Sequence, residues 1–132
     1  MWATDASPAA VALACENVRR HRLLQRVVVL EGDLLDPVPG PVDIVVANLP
    51  YLPLAERALH ADLAAEPAEA VFAERDGLGP YRRLLDACQE GLAPGGALVL
   101  QLRGAVLLAA RHELGALRTR LEVEAMLARK AA

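Results

Sequence analysis

Hydrophobic residues follow two alternating patterns along the chain. Continuous apolar runs, each with the length of a buried strand, lie at residues 2–4, 27–30, 42–47 and 97–102. Apolar positions at helical spacing predict helices over residues 8–21, 80–91 and 106–118. Residues 121–126 alternate between apolar and polar, which is typical of a half-exposed strand and favours an antiparallel strand at or near an edge.

Proline, glycine and serine mark the boundaries between these segments. Ser7-Pro8 predicts a helix start, because the serine side chain can cap the helix and proline needs no N–H at the first helical position. Residues 37–41 and 94–96 predict a rigid loop and a turn, and residues 52–79 predict a loop with short helical turns. Strands that alternate with helices predict an α/β fold, with a mostly parallel sheet covered by helices on both faces.

Composition narrows the class of protein. The 132 residues suffice for one domain and not for two, and a hydrophobic content of 55% indicates a globular chain. The net charge of −3 argues against loose electrostatic binding of nucleic acid. No stretch has the length of a membrane span and no leader opens the chain, so a cytoplasmic protein is predicted. Cys15 and Cys88 lack Cys-x-x-Cys spacing and are predicted to be buried free thiols, and the histidines lack ligand spacing, so no metal site is predicted.

The apolar run at residues 42–47 ends abruptly in Asn48-Leu49-Pro50-Tyr51. These residues therefore fall at the carboxyl end of a predicted strand, which is where open α/β sheets bind ligands. The Asn48 amide can accept hydrogen bonds from an NH2 group, and the Tyr51 ring can stack on a flat one. The pattern predicts a site that holds a planar amide, or an exocyclic base nitrogen, for attack on an electrophile.

Two acidic residues follow the first two predicted strands. Asp5 and Asp33 are expected along the same edge of the sheet, where one carboxylate can bind a ribose diol and another can accept from an adenine amino group. Each residue alone is also explained by local structure, since Asp5 can cap the Ser7-Pro8 turn and Asp33 can start a loop. Their joint occurrence upstream of Asn48 favours a cofactor site.

Further short motifs follow one another in a fixed order. They are Glu16-Asn17, Gly32-Asp33-Leu34-Leu35, Asp43 to Tyr51, Glu66-Pro67, Asp76-Gly77-Leu78 with Tyr81-Arg82, and Pro94-Gly95-Gly96. Together with Asp5 and Ser7-Pro8, this order resembles the release-factor glutamine methyltransferases, a class I S-adenosylmethionine-dependent family, from residue 2 to about residue 102. Asn-Pro-Pro-Tyr occurs in many amino-group methyltransferases, whereas the Glu-Pro and Asp-Gly-Leu-x-x-Tyr-Arg segments narrow the resemblance to the glutamine-modifying branch.

The resemblance implies a Rossmann-like fold and a role for each site residue. Asp5 would bind the ribose hydroxyls of S-adenosyl-L-methionine, and Asp33 with Leu34 would contact the adenine. Asn48, which is also among the implied cofactor-binding residues, would accept hydrogen bonds from the target amide.

The remaining site residues of the resemblance form the acceptor loop. The main-chain carbonyl of Leu49 would accept a second hydrogen bond, and Tyr51 would pack against the flat amide. The implied catalytic residues are Asn48, Pro50 and Tyr51, the implied substrate-binding residues are Asn48, Leu49, Pro50 and Tyr51, and no metal is involved. The implied partner is a peptide-chain release factor, and no association with a membrane is implied.

The chain departs from the family pattern at two points. Leu49 stands where the family has proline, but Pro50 follows it and pushes it toward the extended region, so its carbonyl direction is expected to survive. The family's glycine-rich loop and helical recognition domain have no counterpart before Asp5. Residues 1–132 are therefore predicted to be a single partial domain, truncated at the amino end, whose sheet lacks a strand between those at Trp2 and Val42. A second copy in a homodimer could supply that strand.

Two other functions stay open at this point. A nucleic-acid amino-group methyltransferase would use the same Asn-x-Pro-Tyr arrangement on a flipped base, but it would need a basic groove that the acidic balance disfavours. A non-catalytic remnant that has lost cofactor binding is the third interpretation.

Overall fold

The computed structural model describes residues 1–74 and 76–101, together with the backbone of one further strand. The strands are β1 Trp2–Asp5, β2 Val28–Glu31, β3 Val42–Ala47, β4 Leu52–Pro53, β5 Phe72–Ala73, β6 Leu92–Leu100 and β7 Val123–Ala125. The helices are α1 Pro8–Arg20, α2 Ala68–Val71 and α3 Gly79–Gly91, with 3-10 turns at Leu54–Leu59 and Ala61–Leu63. The helix predicted over residues 106–118 lies outside the described residues. None of the described helices is long and apolar enough to cross a membrane.

Helix α1 begins as the sequence predicts. Ser7 is extended, with φ −88° and ψ 117°, and its Oγ accepts a hydrogen bond from the Ala10 N–H at 3.5 Å. Pro8 then occupies the first turn, where its missing N–H costs nothing. Arg19 and Arg20 lie in the last turn, where cations suit the helix dipole.

All strand pairs are parallel in the part of the chain that the structure describes, which confirms the α/β class. β1 pairs with β2, β3 with β6, β6 with β7, and β4 with β5. The prediction of an antiparallel last strand is wrong, because Val99 pairs with Glu124 in a parallel register. The connection between Leu100 and Val123 exceeds the dozen residues that a parallel crossover requires, whereas the alternating pattern carries no information on direction.

The strands are divided among separate sheets within the described residues. β1–β2 forms one sheet, β3–β6–β7 a second and β4–β5 a third. The Gln101 N–H donates to the Ala47 carbonyl at 3.0 Å, so the backbone groups of Ala47 face β6. Because backbone direction alternates along a strand, those of Ile44 and Val46 face the opposite edge, where β3 has no described neighbour. Their side chains are 62% and 75% exposed.

The core lies between α3 and the β3–β6 pair. α3 buries Tyr81, Leu84, Leu85 and Cys88, whose spacing of three and four residues places them on one helix face. They pack with Val45 of β3 and with Leu92, Leu98 and Leu100 of β6. Burial of each leucine contributes roughly 1.5–3 kcal/mol. This packing fixes α3 against the carboxyl end of β3.

The turn predicted at Pro94-Gly95-Gly96 lies inside β6 and not before it. The pairing jumps from Val42–Leu92 to Ile44–Ala97, so the four residues 93–96 form a bulge opposite Asp43 at the start of β3. Gly95 has φ +79° at this bulge, which explains the glycine. The loop predicted for residues 52–79 is confirmed, with the two-residue strands β4 and β5 in addition. Cys15 is half-buried, Cys88 is buried, and both thiols are free.

Candidate active site

The first candidate residue, Asp5, ends β1 and lies beside the loop that follows β2. Asp5 pairs with Glu31 in the β1–β2 register, and its carbonyl accepts the Gly32 N–H at 3.0 Å. Its carboxylate is exposed, and Oδ1 accepts the Ser7 N–H at 2.8 Å. Asp5 therefore has the local turn role that its position allows. Its Oδ2 makes no hydrogen bond to a described residue.

Asp33 and Leu34 form the turn after β2. Leu34 has φ +50°, a left-handed conformation that costs a residue other than glycine about 1–2 kcal/mol. The Thr4 hydroxyl donates to the Leu34 carbonyl at 2.7 Å and so ties this turn to β1. Strained backbone of this kind is concentrated at ligand sites, and here it falls on the residue that the resemblance places against adenine.

The Asp33 carboxylate also reaches α3. Arg83 Nε donates to Asp33 Oδ2 at 3.3 Å, and the side chains are 58% and 49% exposed respectively. An exposed pair of this length contributes little to stability, at about 0–1 kcal/mol. Its consequence is positional, since it places the guanidinium of Arg83 beside the predicted adenine loop.

Asn48 is the first residue after β3, and its side chain is exposed. The β3–β6 ladder ends one residue earlier, at the Ala47 carbonyl. The side-chain amide of Asn48 makes no hydrogen bond to a described residue, so its oxygen and its NH2 group are both accessible to a ligand. The structure thus places this residue at the carboxyl end of the strand, where the sequence predicts it.

Leu49, Pro50 and Tyr51 are half-buried, in contrast to Asn48. Leu49 and Tyr51 pack against the core cluster of α3. The carbonyl of Leu49 accepts a hydrogen bond from the Tyr81 hydroxyl at 2.9 Å. The prediction that this carbonyl keeps a defined direction despite the loss of proline therefore has a physical basis in Tyr81.

Tyr81 is only 3% exposed, and this burial raises the pKa of its phenol to about 12. The hydrogen bond to the Leu49 carbonyl acts in the opposite direction and lowers the pKa, but burial is the larger cause. The phenol therefore keeps its proton at neutral pH and remains a donor. The sequence alone does not reveal this role, because Tyr81 and Leu49 are 32 residues apart.

Asp76 and Arg82 form an exposed ion pair at the start of α3. The Arg82 guanidinium donates to both carboxylate oxygens of Asp76, at 3.2 and 2.8 Å. The Leu78 N–H donates to the same carboxylate at 3.1 Å. These contacts, with the Arg82 hydrogen bond as the largest cause, lower the pKa of Asp76 to about 2.

The beginning of α3 contacts both groups of candidate residues. Tyr81 bonds to Leu49 in the acceptor loop, and Arg83 pairs with Asp33 in the predicted cofactor loop. Asp5 ends β1 and Asp33 follows β2 of the first sheet, whereas Asn48 follows β3 of the β3–β6–β7 sheet. Among the described residues, no group of three or more acidic, histidine or cysteine side chains could hold a metal ion.

Comparison with known proteins shows which enzymes the chain is similar to. No protein-family model matches the chain. It is 45% identical over 104 residues to the release factor glutamine methyltransferase of Moorella thermoacetica, covering 77% of this chain and 37% of that protein. It is 43% identical over 111 residues to the enzyme of the same name from Deinococcus radiodurans, covering 82% and 39%. For the Gloeobacter violaceus protein of that name, identity is 38% over 105 residues, covering 77% and 37%.

The chain is thus similar to release factor glutamine methyltransferases over about three quarters of its own length. It spans a little over a third of the length of these relatives. The family resemblance predicted from Asn48 to Tyr51 and the surrounding motifs is confirmed. The roles of Asp5, Asp33, Leu34 and the acceptor loop stay predictions, which the positions of these residues make specific enough to test.

Two residues that contact the candidate cofactor loop are not indicated by any sequence motif. Thr4 supports the Leu34 turn, and Arg83 pairs with Asp33, across 30 and 50 residues of sequence respectively. Hydrogen bonds over such distances leave no local pattern. A hydroxyl immediately before Asp5 was the only sequence signal for Thr4.

Proposed function

We propose that this chain carries the acceptor part of an S-adenosylmethionine-dependent N-methyltransferase that modifies a glutamine side-chain amide of a release factor. One observation carries the proposal. The exposed amide of Asn48 is followed directly by the Leu49 carbonyl, which accepts a hydrogen bond from the Tyr81 hydroxyl at 2.9 Å. Two acceptors on adjacent residues suit the two hydrogens of one primary amide. The release factor as partner and a cytoplasmic location are part of the same proposal.

The proposed chemistry depends on position more than on acid or base groups. A glutamine amide nitrogen is a poor nucleophile because its lone pair is delocalised into the carbonyl. Acceptance of its two hydrogens by Asn48 Oδ1 and the Leu49 carbonyl polarises the amide and directs its nitrogen. Well-oriented positioning of this kind lowers barriers by roughly 7–11 kcal/mol. Tyr51, which is half-buried and follows these acceptors in the chain, would pack its ring against the flat amide.

The residues toward S-adenosylmethionine fit its nucleoside end. When bound, this group supplies an electrophilic methyl on a sulfonium. Asp5 would hold the ribose hydroxyls through its exposed carboxylate, and the Asp33–Leu34 turn would border the adenine. The left-handed Leu34 and its bond from Thr4 support this, because they fix the turn in one unusual conformation. No described residue is assigned to the methionine end.

We also infer that an additional parallel strand completes the sheet beside β3. Two features support this: β1 and β3 have no described neighbour on one side, and the relatives are far longer than this chain. A segment of a longer polypeptide or a second copy of this chain could supply that strand. The mass of the chain in dilute solution separates them, because only the second source gives a dimer.

Calorimetric titration with S-adenosylmethionine is the first test of the proposed function. Heat with micromolar affinity is expected if Asp5 and the Asp33–Leu34 turn hold the nucleoside as proposed. A folded sample that gives no heat would instead favour a non-catalytic remnant. The matched control is Asp5→Asn, which keeps the Ser7 turn bond through its amide oxygen but removes the charge, and which is expected to weaken binding.

Transfer of a labelled methyl group then identifies the substrate. Purified release factor and structured RNA are offered to the same sample under the same conditions. Label on a glutamine of the release factor supports the proposal. Label on RNA alone would overturn it in favour of a nucleic-acid amino-group methyltransferase.

A further inference from the structure

The hydroxyl of Tyr81 lies where the hydrogen-bonded ladder between β3 and β6 ends. The last ladder bond runs from the Gln101 N–H to the Ala47 carbonyl at 3.0 Å. The Tyr81 hydroxyl lies 2.9 Å from the Leu49 carbonyl oxygen and 3.0 Å from that of Gln101. A phenol has one proton, so the two carbonyls share it or receive it in turn. Tyr81 thereby bridges the two segments that follow β3 and β6, beyond the last hydrogen bond between these strands.

The segment before Tyr81 is itself held in place. Asp76 accepts the Leu78 N–H and pairs with Arg82, which encloses the first turn of α3 in a small hydrogen-bonded unit. Gly77, with φ +79°, brings this unit so close to the acceptor loop that a Cβ there would collide with the Tyr51 carbonyl oxygen. Hence the Asp76-to-Arg82 motif contacts the acceptor loop at two successive places.

We propose that Tyr81 is a positioning residue that fixes the direction of the Leu49 carbonyl for the substrate amide. A carbonyl oxygen has two lone pairs, of which Tyr81 occupies one and leaves the other for an amide N–H. The inference rests on the proposed function, since it assigns a task within that same site. It also gives the Asp-Gly-Leu-x-x-Tyr-Arg motif a physical purpose.

The identity of residue 49 makes this support necessary. Proline at this position would fix φ near −65° through its ring. Leucine has no such ring, so restraint of the peptide must come from Pro50 and from contacts of the loop. Tyr81, which is 3% exposed and packed among Leu78, Leu84 and Leu85, is a rigid point from which to supply it.

Tyr81→Phe tests the proposal, because it removes the hydroxyl and keeps the buried ring. Methyl transfer to the release factor is expected to fall about 10–100-fold in kcat, the range expected for misplacement of a reacting group by up to 1 Å. S-adenosylmethionine affinity should stay unchanged and KM for the release factor should change less than kcat. Cys88→Ala is the matched control, because Cys88 lies two turns further along the same buried face. It should lower the midpoint of unfolding but retain kcat.

A second measurement records the 13C chemical shift of the Leu49 carbonyl and does not depend on enzymatic activity. With 13C label at the Leu49 carbonyl, loss of the Tyr81 hydrogen bond should move its chemical shift upfield in Tyr81→Phe and leave it in place in Cys88→Ala. An unchanged shift in Tyr81→Phe overturns the contact. Normal kcat in Tyr81→Phe, or an equal loss in both variants, overturns the positioning role. If the unmodified protein binds cofactor but transfers nothing, the proposed function fails and the carbonyl shift alone decides on Tyr81.

Discussion

Asn48 differs from its neighbours in the acceptor loop because its side chain is exposed while Leu49, Pro50 and Tyr51 are half-buried. Replacement by alanine therefore removes an acceptor without opening a cavity. We expect Asn48→Ala to reduce methyl transfer by at least about 100-fold, as removal of one preorganised polar group does elsewhere. Affinity for S-adenosylmethionine should stay nearly intact, because Asp5 and the Leu34 turn are untouched.

Asn17→Ala is the control for this variant. Asn17 is an exposed amide on α1, so its replacement removes the same side-chain group from an element outside the acceptor loop. Labelled transfer and calorimetry on both variants check the prediction. Equal loss of transfer and of cofactor affinity in Asn48→Ala would contradict its assignment to the substrate amide.

The lowered pKa of Asp76 predicts how this single residue contributes to stability as the pH changes. Its pKa is lowered to about 2 by the Arg82 guanidinium and the Leu78 N–H, so the folded protein favours the carboxylate. The stabilising effect of a lowered acid is complete above its ordinary pKa of 3.8 and is lost as the pH falls through about 2. A 13C carboxyl titration should show a midpoint well below 3.8 for Asp76. Arg82→Gln should return this midpoint toward the ordinary value, and a midpoint unaffected by that change would rule out the guanidinium as the main cause.

The predictability of the site depends on how far apart its contacts lie in the sequence. Asn48 to Tyr51 could be found because an apolar strand and its polar end are continuous, and the structure leaves Asn48 exposed there. The hydrogen bond from Tyr81 to Leu49 could not, because its partners are joined only after α3 packs on β3 and β6. The same holds for Arg83 beside Asp33.

At the scale of elements, two glycines with the same backbone conformation are expected to differ in importance. Gly77 and Gly95 both have φ +79°, so alanine at either site costs about 1–2 kcal/mol in backbone strain. At Gly77 the added Cβ also meets the Tyr51 carbonyl, whereas at Gly95 nothing lies within 4 Å. We expect Gly77→Ala to cost a further 1–3 kcal/mol, roughly the usual range for overpacking.

Urea unfolding of both glycine variants measures this difference. Gly95→Ala serves as the control, since it has the strain without the collision. Similar losses in the two variants would show that the start of α3 does not press on the acceptor loop. The comparison thus tests the second contact of the Asp76-to-Arg82 motif without reference to activity.

Elements themselves were predictable where local chemistry decides them. Ser7 with Pro8 set the start of α1, and the apolar run of β3 matches the structure at both ends. The direction of β7 was not predictable, because an alternating pattern fits either direction and the connection is long enough for both. The bulge at Gly95 looks like a turn in the local sequence, and only its pairing with β3 shows that β6 continues through it.

At the scale of the whole molecule, the described strands are divided among separate sheets, and this division leaves apolar residues exposed. Four apolar strand residues are exposed: Trp2, Val28, Ile44 and Val46. In parallel sheets such side chains are normally covered, because helices pack on both faces of the sheet. Helices on both faces of one continuous sheet, as the sequence predicts, would bury them. In the described residues β1–β2 and β3–β6–β7 instead remain separate, so the proposed additional strand would join them and complete a face for cofactor.

Amide hydrogen exchange along β3 tests whether that edge is open. The N–H groups of Val45 and Ala47 face β6, so they should be protected, while those of Ile44 and Val46 face the open edge and should exchange faster. At higher protein concentration, a second copy that supplies the strand would slow Ile44 and Val46 selectively. In a longer polypeptide that supplies the strand itself, the same two amides would be protected at every concentration. Uniform protection of all four in dilute samples of this chain would contradict an open edge, because a strand must then already lie beside β3.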